Sequence, residues 1–277
     1  MWIDAHHHLW DPSVRPQTWM DRNWPINRAF GTADLRAAVE DTPVGATIVV
    51  QTEPSIDETA EMLHMAAAEP LIAGVVGWLD LHNDVNHQLD ELAASHEDEL
   101  LVGIRHQVES EPDPNWLGAD AVVEAVRCLG HHGLTYDLLV KPHQLASAID
   151  LAQATQDTTR LVLDHCAKPP IGSDLTDWAR SIRTLAGFDH VACKLSGLVT
   201  EADWTTWTPA DLVPVAGVVL ECFGPDRTMF GSDWPVCLLA ATYRDVVDAA
   251  NAMTSGLNDH ERSCLFWDTA RDWYGLM

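Results

Sequence analysis

The sequence predicts an α/β protein folded as a single (β/α)8 barrel spanning residues 1–277, and three observations predict it. Eight short apolar runs recur along the chain, each followed by a stretch with helical periodicity. The runs are mostly apolar on both faces, as parallel strands covered on both sides must be. Polar and ionisable residues gather at the carboxyl ends of the runs, the edge where such barrels place their chemistry. An open doubly wound sheet shares the alternation of strand and helix. No G-x-G-x-x-G follows any run, however, so the nucleotide-binding form of that alternative lacks its motif, and no nucleotide cofactor is expected.

In order, the expected strands are Trp2–His6, Thr47–Gln51, Ala73–Trp78, Leu101–His106, Tyr136–Val140, Arg160–His165, Val191–Ser196 and Thr228–Asp233. Helical patterns fill the intervals. The first, Asp34–Glu40, opens after Thr32. The second follows Ser55, with Glu58 three residues on, a capping-box spacing. Val85–Ala94, Ala121–His131, Gln144–Gln153, Leu175–Leu185, Pro209–Phe223 and Tyr243–Met253 continue the series, and Asp259–Tyr274 closes it.

Composition narrows the function. The 277 residues carry 42 acidic and 16 basic side chains, a formal net charge of −26. With lysine only at positions 141, 168 and 194, no broad phosphate-neutralising surface can form, so nucleic acid and anionic membranes are excluded as partners. No apolar run approaches the 18 or more residues of a membrane span, and the N-terminus shows no signal-peptide pattern. The six cysteines are scattered without C-x-x-C pairs, which reads as reduced thiols in a cytoplasmic protein.

The densest cluster of chemistry is D-A-H-H-H-L-W-D at the end of the first run. Side chains alternate along a strand, so His6 and His8 share a face and His7 points away. Adding His165 from the sixth strand end and Asp233 from the eighth gives three imidazoles and one carboxylate at a common mouth. That set suits one divalent ion, Zn²⁺ above others, and equally a metal-free acid/base site. Other strand ends supply Gln51 with Glu53, Arg105 with His106, Lys194, and Trp234 beside Asp233.

The H-x-H, the L-D-H-x-x-K-P-P at 163–170 and the F-G-S-D-W-P at 230–235 resemble the amidohydrolase superfamily, and within it the lactonase branch. G-I-R-H-Q at 103–107, L-T-Y-D-L-L-V-K-P at 134–142 and C-K-L-S-G-L-V-T-E at 193–201 extend the likeness over nearly the whole chain. The resemblance implies a hydrolase that opens a lactone, with His6, His8, His165 and Asp233 as the metal or acid/base centre. It implies Asp233 as the base that activates water and His165 as a second catalytic group. Gln51, Glu53, Arg105, His106, Lys194 and Trp234 are expected to hold the substrate. It further implies at most one metal, which the lactonase branch does not always need, because no lysine stands where a two-metal site requires a bridge.

Few cations are expected at the pocket edge: Arg105, Lys141 and Lys194. A dicarboxylate would want several arginine forks, so a neutral sugar lactone is the better match, with some of the twelve tryptophans supplying ring faces. Another amidohydrolase-type hydrolase or a metal-dependent decarboxylase acting on a small carboxylic substrate is the alternative. A non-catalytic binding barrel ranks last because a base is present. The assembly is expected to be a monomer or small homo-oligomer.

Overall fold

The computed structural model describes residues 1–93 and 98–276. Eight parallel strands pair in chain order: β1 (Trp2–His7), β2 (Val44–Val50), β3 (Ile72–Gly77), β4 (Leu101–His106), β5 (Thr135–Leu138), β6 (Leu161–Leu163), β7 (Val191–Leu195) and β8 (Thr228–Phe230). The principal helices between them are α1 (Thr32–Val39), α2 (Ile56–Ala68), α3 (Val85–Ala93), α4 (Asp120–His131), α5 (Leu145–Thr155), α6 (Thr176–Ala186), the short α7 (Leu198–Glu201), α8 (Pro209–Phe223) and α9 (Tyr243–Met253). The expected end of the third helix, Ala94, lies outside the described residues. The closing helix is broken into α10 (Asp259–Ser263), a π turn at Cys264–Asp268 and α11 (Thr269–Trp273). The chain is a (β/α)8 barrel, and among the described residues no helix is long and apolar enough to cross a membrane.

Two apolar layers follow from the two faces of the strands. Ile3, Ile48, Val50, Val76, Val102, Val162, Ala192 and Met229 form one cluster with Tyr274 from beyond α11. The larger cluster joins the other face of the strands to the helices, through residues such as Leu63, Val126, Leu151, Ile182 and Val219. Burying both faces is why the strands read as nearly continuous apolar runs rather than alternating ones.

Strand pairing stops short of several expected ends, by one residue in β2, β3 and β7 and by two or more in β5, β6 and β8. β6 ends at Leu163, because His165, Cys166, Ala167 and Lys168 all take left-handed backbone with φ between 50° and 59°. β8 ends at Phe230, ahead of Asp233 at φ 56°. Neither conformation continues a ladder. The capping box at α2 is half formed. Ser55 Oγ accepts from Glu58 N at 3.3 Å, but the Glu58 carboxylate turns back to accept from Thr52 N (2.8 Å) and Glu53 N (2.9 Å). It thereby orders the loop after β2.

The barrel closes between β8 and β1, where Asp233 N donates to His6 O (2.8 Å) and His8 N to Trp234 O (2.6 Å). Gly231 permits this approach: a Cβ there would sit 2.8 Å from His6 Cβ and 3.0 Å from Ser196 Cβ. Gly231→Ala should therefore destabilise the fold by about 1–3 kcal/mol through overpacking, read as a lowered thermal midpoint. An unchanged midpoint would contradict this account of the closure.

Candidate active site

Each candidate residue leaves the barrel at a strand end. On β1 and just beyond it, His6 and His8 turn toward one centre, while His7 points elsewhere and contacts Thr47 Oγ1 at 3.0 Å. His6 Nε2 lies 3.2 Å from His8 Nε2. Asp233 Oδ1 faces all three imidazoles, 3.8 Å from His6 Nε2, 3.4 Å from His8 Nε2 and 3.8 Å from His165 Nε2. The His6 and His165 rings are 4.4 Å apart. The far nitrogens are anchored: His8 Nδ1 to Val50 O (2.7 Å), His165 Nδ1 to Ser196 Oγ (2.8 Å), and His6 Nδ1 against Asp164 Oδ1 (3.2 Å).

Beneath this cluster is a buried ionic layer. Lys194 Nζ lies 2.6 Å from Asp137 Oδ2, 3.0 Å from Asp164 Oδ1 and 3.2 Å from His6 Nδ1. Arg105 Nη1 donates to Asp164 Oδ2 (3.1 Å) and lies 3.3 Å from His6 Nε2, and its Nη2 donates to the Gln51 carbonyl. Tyr274 Oη donates to Asp137 Oδ2 at 2.7 Å.

Burial and charge set the protonation states. Burial lowers the His6 pKa well below the ordinary imidazole range and lowers His165 as well, so both rings are neutral. Burial alone would raise Asp233, but His165, the hydrogen bond from His8 and Lys168 outweigh it and hold the carboxyl below its ordinary value. Burial opposes ionisation of Asp164 too, and Lys194, His6 and Arg105 overcome that opposition. Asp137 moves the other way, raised chiefly by burial.

The donor set fits a small divalent cation. The Val50 carbonyl can only accept, so His8 Nδ1 carries a proton and Nε2 is the nitrogen turned toward the Asp233 carboxylate. A ring nitrogen and a carboxylate oxygen this close need a proton or a cation between them. Tetrahedral bonds of about 2.1 Å place ligand atoms about 3.4 Å apart, close to the separations seen here. His6, His165 and Asp233 each offer a ligand atom, all within 4.8 Å of one another, and His8 stands beside them.

Above the cluster opens a cavity of about 230 Å³, lined by Trp19, Leu139, Val236, Arg105, His106, Glu109, Lys168 and others besides His8, His165 and Asp233. His106 stacks on Trp116 with ring centroids 4.3 Å apart, accepts from Trp78 Nε1 (3.0 Å) and meets Glu111 Oε1 (2.7 Å). The other expected contacts are placed differently. Lys194 is fully buried below His6; Gln51 is fully buried, its Nε2 donating to Arg105 O (3.0 Å). Glu53 accepts from Thr18 N (2.6 Å), and Trp234 packs on Phe30. None of these four lines the cavity.

Lys141, expected at the pocket edge, is exposed and also outside the lining, and Lys168 holds that place instead. Lys168 Nζ lies 2.8 Å from Glu109 Oε2 and 3.7 Å from Glu201 Oε1. Lys168 sits inside the L-D-H-x-x-K-P-P string, so its signal was in plain sight. An extended reading of that segment simply hides where it points. Gly197 matters to the same corner: it has φ 65°, and a Cβ there would fall 2.6 Å from His165 Nδ1.

A (β/α)8 barrel with this imidazole–carboxylate cluster at its mouth belongs to the amidohydrolase family, whose model matches residues 3–276. Among its relatives, an L-fucono-1,5-lactonase of Burkholderia multivorans is 38% identical over 99% of this chain and 96% of that one. An L-fucono-1,5-lactonase of Burkholderia ambifaria is 35% identical, covering 88% and 83%. A crystal structure of a Burkholderia multivorans amidohydrolase with bound zinc superposes with TM-score 0.93 at 36% identity, all of both chains covered.

Protonation gives a stability test. Burial holds His7 neutral down to about 3, against 6.5 for a free imidazole. The unfolded chain takes up that proton near pH 6.5 and the folded chain does not, so this stability is full above pH 6.5 and falls as pH drops toward 3. In urea unfolding, His7→Gln should flatten the acid slope by up to about 1.4 kcal/mol per pH unit. An unaltered slope would mean His7 is not held neutral.

Proposed function

We propose that this protein hydrolyses a neutral sugar lactone, an aldonolactone, with Asp233 as general base. The observation that carries the proposal is an ionised, buried Asp233 facing three imidazoles on a ligand-sized cavity. The names of the two Burkholderia relatives support the same reaction class. The cavity favours an uncharged substrate. The charge of Arg105 is balanced by Asp164 and that of Lys168 by Glu109 and Glu201, so the cations lining the cavity leave no unbalanced positive charge for a substrate carboxylate. Glu109, Glu111, Thr18, Thr52 and Gln107 offer partners for hydroxyls, and Trp19, Pro54, Leu139 and Val236 offer apolar contact for the ring.

A lactone is already an activated ester, so a positioned base and oxyanion support suffice. No G-x-S-x-G elbow supplies a serine nucleophile. In this reading Asp233 takes a proton from water and the water oxygen attacks the lactone carbonyl. Arg105, with its permanent charge 3.3 Å from His6 Nε2, polarises the carbonyl oxygen, with the imidazoles of His6, His8 and His165 beside it. His6, His8, His165 and Asp233 would hold a single divalent ion, zinc foremost, which when bound supplies Lewis acidity at that oxygen. Ser196 and Val50 fix the rings that face the base.

A screen of aldonolactones by proton release should identify the substrate. On the best of them, Asp233→Asn should lower turnover by about 10²–10⁴-fold with the fold intact. Near-wild-type turnover in that variant would remove Asp233 from the role of base. Elemental analysis should find no more than one tightly held divalent ion per chain, and two would contradict the site described.

A further inference from the structure

The turn that delivers His165 also delivers a cavity residue with no part in the scheme above. His165 through Lys168 form a left-handed turn, closed by Lys168 N donating to His165 O at 2.9 Å. In a turn of three residues, positions i and i+3 fall on the same side. Both residues accordingly line the one cavity. Lys168 is braced from two other elements, by Glu109 on the turn after β4 and by Glu201 at the end of α7. An ammonium has three protons, so two carboxylate partners leave one direction for a ligand.

The reaction has an oxygen that needs that proton. Ring opening expels an alkoxide, a far stronger base than an amine. Arg105 serves the carbonyl oxygen from β4, with the imidazoles beside it. Lys168 stands on the β6 side of the mouth, two strands round the barrel from Arg105, and lines the same cavity as Asp233. Glu109 and Glu111 also line the cavity but, when ionised, can only accept.

We propose that Lys168 is a further catalytic residue, whose ammonium hydrogen-bonds the lactone ring oxygen and protonates it as the ring opens. The proposal rests on the lactonase reading. Water gives one proton to Asp233 while its oxygen bonds the carbonyl carbon. The bond from that carbon to the ring oxygen then breaks, its electron pair staying on the ring oxygen. Lys168 passes a proton to that oxygen, which becomes the product hydroxyl. The proton held by Asp233 returns through solvent to the Lys168 amine, and Glu109 and Glu201 draw it back.

The test compares the best aldonolactone with its ring-sulfur analogue, because an expelled thiolate leaves without protonation. In Lys168→Gln, kcat on the lactone should fall by about 10²-fold or more while the thiolactone loses less than about tenfold. KM should stay within about threefold, since the lost interaction belongs to the transition state. Lys168→Arg keeps the charge but does not release a proton, so it should not restore lactone turnover. Equal losses on both substrates would overturn the proposal and leave Lys168 a positioning residue for the His165 turn. Restoration by arginine, or an unchanged lactone kcat, would overturn it as well. If the wild-type enzyme opens no aldonolactone, the lactonase reading itself fails, and that result is separate from any effect of Lys168.

Discussion

The site rests on a buried layer of opposed charges. Asp164 and Asp137 share Lys194, Asp164 also binds Arg105, and His6 is held against both Asp164 and Lys194. These groups come from β1, β4, β7 and the ends of β5 and β6, so one network ties most of the barrel's upper rim together. Charges this deep are costly unless every one is paired, and removing one member of such a set leaves an uncompensated charge in a low-dielectric interior. Their mutual dependence fixes the His6 ring, and with it the line from His6 to Asp233.

A second constraint is backbone strain. Four successive left-handed non-glycine residues cost about 1–2 kcal/mol each, and they persist because their surroundings leave no alternative. Trp178 Nε1 donates to Cys166 O (2.8 Å), Cys166 Sγ contacts Lys194 O (3.3 Å), and Ser196 holds the His165 ring. The strain sits where two cavity residues must face the same way three positions apart. Asp233, also left-handed, follows the same logic two strands further round the mouth.

From below, the end of the chain completes the arrangement. Tyr274 packs within the inner apolar layer and donates to Asp137, while its ring lies 5.4 Å from Lys194 Nζ. The last helical segment is therefore part of the support for the charged layer, and through it for His6. Asp4 plays a comparable part at the closure, accepting from Ser232 N (2.8 Å), Ser232 Oγ (2.6 Å) and Tyr243 Oη (2.9 Å) one residue away from Asp233.

The barrel was legible in the sequence because its cause is local. Strands buried on both faces must be apolar throughout, and helices must carry one apolar stripe, so the alternation and the polar strand ends are written residue by residue. His6, His8, His165 and Asp233 were legible for the same reason, since each stands next to an apolar run whose direction fixes where it points. Lys194 and Gln51 also stand at strand ends, yet the tertiary structure sinks them beneath the mouth, because depth along a strand depends on the stagger between neighbours and on what charge lies opposite. Lys168 went unread for the converse reason. A left-handed turn, decided by packing around Cys166 and by the partners Glu109 and Glu201 far off in the chain, swings it into the cavity, and no pattern of side-chain periodicity records a turn of that hand.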